Sequence, residues 1–500
     1  MSKPRRSHTL TALIAGLVSA AGSASAQTLA RPGWVGSGLT QQTWFRNAVI
    51  YEIDTRSFQD SNGDGVGDLK GIAERLDYIR SLGVDAILLA PLAGLLARLQ
   101  TGQPSPIDPA LGTLDDFDDL ALQASRMKVR VLLELPAPDP ALARFWLSRG
   151  VAGFHIPAQN PAGQPNTAAI QAVRKLLPSY VGQRVLITDA DMPADSGKPG
   201  ANELVLDTAL LKLPTTPAPV ASSAAGASPG AGAQYTAAGQ LRAALEEAQT
   251  LARPGGLLLE TDAPGVPRSL DRFAAGDAPP GHAADLDRIV TTVLMLNRSG
   301  VVLSAGQELA VTSRSGAAVD MPWGAPPASS APETSALERP AAGKSAVPAR
   351  APAGDTYLPY VAPKPAAKPP PAPPPDLATA AGQEIKPGSP LNFYRQLNQL
   401  RHGGTALRDG DETFLDFDAL NALVWIRKPA SPTYANPPIV ILCNLSDKPL
   451  ALDLKPDLMR LHLRGSFLKT VLRSDGGMGA MDISPVRIPP YGVYVGELKF

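Results

Sequence analysis

Apolar residues change period along this chain in a repeating way. Residues 48–53 form a short apolar run, and over 69–82 Leu69, Ile72, Leu76, Ile79 and Leu82 fall at helical spacing on one face. A second apolar run follows at once, so residues 44–91 read as strand, acidic glycine loop, amphipathic helix and strand, a βαβ unit. The pattern continues with a helix over 116–128, for which Thr113 is the N-cap and Asp115 and Asp116 lie near the positive end. Further strands are read at 129–135, around 150–156, and at 184–188, 203–206, 257–260 and 300–304, with helices over 141–149, 241–251 and 284–296 between them. Strands alternating with helices at this count predict a parallel (β/α)8 TIM barrel, whose functional groups sit at the C-terminal strand ends. Beyond it, apolar runs at 413–417, 422–427, 439–445, 451–454, 467–472 and 492–498 predict a C-terminal antiparallel β-sandwich over 411–500.

The loop after the first strand carries chemistry of its own. Asp60, Asn62, Asp64 and Asp68 place hard oxygen ligands at alternate positions, the Val66 carbonyl adds another, and Gly63, Gly65 and Gly67 allow the sharp turns. That donor set suits Ca²⁺ better than Zn²⁺. An EF-hand is excluded, because its twelfth position would be Gly71 in place of a bidentate glutamate. The alternative is a solvated acidic turn.

The stretch WFRNAVIYEIDTRSFQDSNGDGVGDL, followed by LGVDAILLAP, resembles the opening of the catalytic barrel of glycoside hydrolase family 13, the α-amylase and α-glucosidase family. The resemblance returns at Ile107-Asp108-Pro109, Phe145-Trp146-Leu147, Gly150 to Phe154, Gly306-Gln307-Glu308, Leu391 to Arg395 and Pro489 to Tyr494. It implies a barrel over 40–310, a last barrel helix at 386–408, an α-glucan or small α-glucoside as ligand, and catalytic carboxylates after strands four, five and seven. Set against that pattern, the nucleophile position is Pro157, which has no attacking group, and His155 replaces an arginine. Asp189 takes the general-acid position one methylene short, where a misplacement of about 1 Å can cost about a hundredfold. Only Asp262 is retained after strand seven. Glu134 ends the third strand where the family shows aspartate, and no inserted domain follows it, since only Asp139 and Pro140 lead into the next helix. The resemblance implies His155 and Glu134 as substrate-side residues and leaves Glu134, Asp139, Asp189 and Asp262 as carboxylates for any surviving hydrolysis.

Composition narrows the partner. With 46 basic and 46 acidic residues the chain has no net field favouring nucleic acid or an anionic membrane. A single cysteine, Cys443, rules out an intrachain disulfide and lies in an apolar run as a buried strand thiol. Residues 1–26 read as a secretion signal, with Lys3, Arg5 and Arg6, an apolar run, and Ala24-Ser25-Ala26 as the cleavage site, so export without a membrane span is expected. Ala-, Ser-, Gly- and Pro-rich tracts at 214–236 and 311–385 read as a disordered insert and linker. Four functions stay open: an inactive relative, a working hydrolase with substitute groups, a saccharide-binding protein, and a structural partner subunit.

Overall fold

The computed structural model describes residues 43–93, 106–192, 197–214, 236–251, 256–274, 282–324, 376–415 and 420–499. The expected leader, residues 215–235 of the expected insert and 325–375 of the expected linker lie outside them.

Eight parallel strands close into a barrel: β1 (Val49–Ile53), β2 (Ala86–Leu89), β3 (Arg130–Glu134), β4 (Gly153–Ile156), β5 (Val185–Asp189), β6 (Glu203–Asp207), β7 (Leu257–Leu259) and β8 (Gly300–Ser304). Each pairs with the next, and β8 returns to β1 through Val49↔Val301 and Glu52↔Ser304. The two-residue period of a strand sends alternate side chains to opposite faces. Ile50, Leu88, Leu132, Ile187, Leu204, Leu206, Leu258 and Val302 therefore fill the barrel axis, while Val49, Tyr51, Val131, Leu133, Phe154 and Leu259 join the larger core under the helices.

The helical layer follows the apolar faces. The stretch expected as one helix is two, α1 (Leu69–Glu74) and α2 (Leu76–Ser81), because the backbone leaves helical geometry at Arg75. α3 (Leu114–Arg126) starts in a capping box in which Thr113 and Asp116 satisfy each other's backbone N–H. α4 (Pro140–Ser148) begins directly after β3, with Asp139 as N-cap accepting from the Leu142 N–H at 2.7 Å. Its Trp146 packs edge-on to Phe117 with ring centroids 4.7 Å apart, a geometry worth about 1 kcal/mol beyond the area buried. α5 (Thr167–Leu176), α6 (Ala237–Thr250), α7 (Ser269–Ala274) and α8 (Ala283–Leu296) complete the ring up to β8.

The expected linker does not run unbroken from 311 to 385. Met321 is buried, Trp323 stands edge-on to Phe58 and Tyr78 at 5.1 and 4.9 Å between ring centroids, and the Arg75 guanidinium lies over the indole. Residues 380–385 form α9 (Ala380–Ile385), whose Gln383 donates to the Leu309 carbonyl at 2.9 Å. Composition concealed these anchors, since a few apolar residues inside a Pro- and Ala-rich tract show no periodicity. α10 (Pro390–Gly403) is the expected last barrel helix.

The expected sandwich is one six-stranded antiparallel sheet with a two-stranded ribbon. Its strands are β9 (Asp411–Leu415), β10 (Ala422–Lys428), β11 (Ile439–Asn444), β12 (Leu450–Leu452), β13 (Phe467–Arg473), β14 (Ala480–Asp482), β15 (Val486–Ile488) and β16 (Val493–Lys499). The large sheet runs β14-β13-β16-β11-β10-β9 and β12 pairs with β15. Leu423, Trp425, Ile441, Cys443 and Val495 on one face join the barrel-side core, and Val424, Ile426, Val440, Leu442 and Leu468 on the other close over the ribbon. β14 and β15 have three residues each, too few to display alternation in sequence. Cys443 is buried as expected, and burial pushes its thiol up.

Two buried arginines bind this sheet to the barrel. Arg401 on α10 donates to the carbonyls of Met295 at 2.6 Å, Asn297 at 3.4 Å, Asn47 at 3.2 Å and Ser299. Arg427 on β10 donates to those of Leu296 at 3.1 Å, Asn297 at 2.6 Å and Gly410 at 3.2 Å. Burial and their mutual proximity push Arg401 down to about 10, still charged at neutral pH. Arg401→Met keeps much of the volume and leaves those carbonyls without a donor, each costing about 1–3 kcal/mol. Urea denaturation should show a loss of about 3 kcal/mol or more; an unchanged midpoint would sink the clamp.

Candidate active-site face

The strand alternation that fills the barrel with aliphatic side chains continues to its C-terminal end and changes chemistry there. Ile50 is followed two residues on by Glu52, Leu132 by Glu134, Gly153 by His155, Ile187 by Asp189, Leu258 by Glu260, and Val302 by Ser304. These positions put four carboxyls, an imidazole and a hydroxyl on one inward ring. Glu52 pairs in register with Ser304, and Glu134 with His155.

His155 and Asp189 form the one direct ion pair in this ring. Nε2 of His155 lies 2.9 Å from Asp189 Oδ1, and since a carboxylate only accepts, Nε2 carries the hydrogen. Asp189 Oδ2 accepts from the Ala158 N–H at 2.8 Å. Burial alone would lower the imidazole, but the bond to Asp189 and the charges of Asp189, Glu134 and Glu52 outweigh it and hold His155 above its usual value. Burial likewise works against ionised Asp189, and His155 with the Ala158 N–H overcomes it, so its carboxyl sits below the ordinary range. His155 is 9% exposed and its Nδ1 has no hydrogen-bond partner.

The other carboxyls are pushed the opposite way. Burial raises Glu134, moderated by His155. Glu52 accepts from Ser304 Oγ at 2.9 Å and is still raised by burial and Glu134. Glu260, 4% exposed, is raised furthest, by burial and then by Glu52, Asp189, Asp262 and Glu134. Neither Glu134 nor Glu260 has a hydrogen-bond or ion-pair partner among the described residues. Glu52 and Glu260 were missed in sequence because each reads as the polar end of a strand. The signal was parity, since each continues the inward register.

Asp262 stands apart from the ring. It is 2% exposed, accepts from the Ser269 N–H at the start of α7, and lies 3.9 Å from Arg268, too far for that cation to offset burial, so its carboxyl is raised. Arg268 also donates to the Ala305 carbonyl at 2.9 Å. Pro157 follows β4, where its carbonyl, like that of Pro136, accepts from the Asn166 amide at 2.9 Å. Asp139 is spent as a helix cap and is not at the ring.

The acidic loop is a nest of backbone turns. Asp60 accepts from the N–H groups of Asn62 at 3.0 Å, Gly63 at 2.6 Å and Gly65 at 2.8 Å, and these bonds hold its carboxyl below the ordinary range. Gly63 and Gly65 adopt φ of 81° and 89°, a region that favours glycine. Asn62 accepts from Asp64, and Asp64 from Val66, both at 2.8 Å. Asp68 caps α1 through the Gly71 N–H at 2.7 Å and accepts from Ser61 Oγ at 2.8 Å. Among the described residues no three of His, Cys, Asp or Glu converge on one point as a metal site requires.

Residues 52–136 match the model of the α-amylase catalytic domain. Trehalose-6-phosphate hydrolase of Escherichia coli (strain K12) is 45% identical over 107 residues, 21% of this chain and 19% of that protein. A probable α-glucosidase of Rhizobium meliloti (strain 1021) is 47% identical over 95 residues, 18% of this chain and 17% of that protein. The aligned stretch thus spans about a fifth of the length of these curated relatives. Two solved structures share the fold: an inactive double mutant of MutB in complex with isomaltulose (TM-score 0.62, 16% identity, 91% of this chain, 99% of that chain) and the α-glucosyl transfer enzyme XgtA (0.62, 21%, 92%, 100%). Residues 52–136 are thus similar to the opening of the α-amylase catalytic domain. Within the α-amylase match lie Glu52, Glu134 and the acidic loop, whereas His155, Pro157, Asp189, Glu260 and Asp262 fall beyond residue 136. No described helix is long and apolar enough to cross a membrane.

The shifts at His155 and Asp189 fix a pH window. The raised histidine contributes stability that is full below its unfolded value of about 6.5 and is lost as pH rises through its folded value. The depressed aspartate contributes stability present above about 3.9 and lost as pH falls through its folded value. In a titration followed by NMR, His155 should titrate above about 6.5. In Asp189→Asn it should fall markedly, because burial is then less opposed; an unmoved titration would show that the pair is not formed.

Proposed function

We propose that this chain is an exported, saccharide-binding member of the α-amylase family that does not turn over glycosidic bonds. One observation carries the reading: Asp189, at the general-acid position implied by the family resemblance, is bonded to His155 and the Ala158 N–H and held ionised. A general acid must bring a proton to the leaving oxygen, so a carboxyl pushed below its ordinary range is the wrong group for the task. Pro157 supplies no nucleophile, and Asp262 is turned to the start of α7. What supports a saccharide ligand is the inward ring of polar groups at the barrel end, where this fold places its sites. The apolar run and small-residue site within 1–26 support export.

A second reading, a working hydrolase with substitute groups, draws on Glu260, whose carboxyl is pushed well above its ordinary value by burial and the neighbouring carboxyls, the direction an acid catalyst requires. The purified protein should give no release of glucose from maltose, trehalose or starch above background. Hydrolysis abolished by Glu260→Gln would favour the second reading, and hydrolysis abolished by Asp189→Asn would overturn the first.

The acidic loop carries the donor chemistry of a Ca²⁺ site, with Asp60, Asn62, Asp64, the Val66 carbonyl and Asp68 as the oxygens that would hold the ion once its carboxylates turn from the backbone N–H groups they now accept from. The ion would bridge turns whose carboxylates otherwise repel one another. Because a ligand bound only by the folded state stabilises it by mass action, millimolar Ca²⁺ should raise the melting temperature relative to chelator. Asp64→Ala should remove that difference; identical melting curves with and without Ca²⁺ would sink the assignment.

A further inference from the structure

The N-terminal end of the barrel, opposite the ring, holds a second pairing of histidine with carboxylate. Asp85 lies in the turn before β2. Its N–H donates to the Val49 carbonyl at 2.9 Å, its own carbonyl accepts from the Arg130 N–H at 3.1 Å, and its Oδ2 accepts from the Val49 N–H at 2.9 Å, so one residue ties β1 to β3. The last turn of α10 comes down beside it. Asn398 donates to the Leu82 carbonyl at 2.6 Å, Arg401 to the Asn47 carbonyl at 3.2 Å, and His402 Nε2 stands 3.5 Å from Asp85 Oδ2.

The other ring nitrogen of His402, Nδ1, lies 2.9 Å from the Asn398 carbonyl. A carbonyl and a carboxylate both only accept, so each nitrogen needs its own hydrogen, and a neutral imidazole carries one. Whichever tautomer forms, a lone pair is left facing an oxygen. The imidazolium alone satisfies both neighbours, and in the last turn of α10 its charge also meets the negative end of the helix. Facing the ring are Asp85, from the turn before β2, and Arg401, its neighbour on α10; Arg130 of β3 and Tyr394 of α10 face Asp85 in turn. The bond to Asp85 outweighs burial, the Asn398 carbonyl adds to it, Arg401 opposes it, and His402 is held above its usual value. Its side chain is 42% exposed, so protons reach it without unfolding.

We propose that His402 is a proton-operated latch, which fastens α10 to the N-terminal end of the barrel when the surroundings turn acidic and lets go as they turn alkaline. The C-terminal sheet is fastened with it, because Arg401 of α10 and Arg427 of β10 share the Asn297 carbonyl. A histidine raised in the folded state contributes stability that is complete below its unfolded value of about 6.5 and is lost as pH rises through its folded value.

Urea denaturation of the full chain, of His402→Gln and of His402→Lys at about pH 5.5 and about pH 8.5 tests this, the contribution of His155 being common to all three and cancelling between them. His402→Gln should lower the folding equilibrium constant about fivefold at the acidic pH, the factor expected of a half-exposed ion pair at a helix end, and leave it nearly unchanged at the alkaline one. His402→Lys, charged at both, should match the parent when acidic and exceed it when alkaline. In an NMR titration the His402 signal, identified by its loss in His402→Gln, should titrate above about 6.5 and fall in Asp85→Asn, which keeps an oxygen for the Val49 N–H. An equal loss at both pH values would show that the ring only packs, and a lysine variant no more stable than the glutamine one at the alkaline pH would remove charge as the cause. A His402 signal indifferent to Asp85→Asn overturns the latch even if neither urea variant folds.

Discussion

Closing eight parallel strands into a barrel leaves every second side chain facing an axis that only other side chains can fill. In this protein that constraint is met for most of the depth by Ile50, Leu88, Leu132, Ile187, Leu206, Leu258 and Val302, which pack without polar atoms. The same rule then forces the next inward residues into the mouth, whatever their chemistry. Glu52, Glu134, His155, Asp189 and Glu260 are thus brought together from five strands by register alone, at a cost in desolvation that burial of the layers below offsets. Their raised and lowered carboxyls are consequences of that forced meeting.

A second constraint fixes the end opposite this ring. The segment before β8 exposes the last carbonyls of α8, which no intrahelical donor can reach. Arg401, Arg427 and the Trp425 indole, at 3.3 Å from the Leu296 carbonyl, take them up. The C-terminal sheet is thereby part of the barrel's hydrogen-bond accounting. Tyr51 and Tyr78, both donating to Glu308 at 2.7 Å, perform a similar service on the segment after β8. Burial raises that glutamate even so.

The pairing of His155 with Asp189 is the chemical turning point. A histidine hydrogen-bonded to Asp189 at 2.9 Å holds that carboxyl below its ordinary range. Burial pushes the carboxyls of Glu260 and Glu52 the other way, on strands where family resemblance gave no reason to look.

By itself the sequence determined the eight-strand alternation, the capping of α3 by Thr113, the burial of Cys443 and the family resemblance of residues 52–136, because all are local in period or in motif. It also placed Pro157, a residue with no attacking group, directly after the fourth strand, which needs only the identity of one residue. It did not reveal the α1–α2 break, the anchoring of Met321 and Trp323, or the short strands β14 and β15, since those depend on contacts with distant residues. Nor did it single out Glu52 and Glu260, although their parity was present in the letters. Which carboxyls keep a proton and which give it up was decided only by the tertiary structure, because a charge's energy depends on the water it has lost and the neighbours it has gained, and neither exists until the barrel has closed.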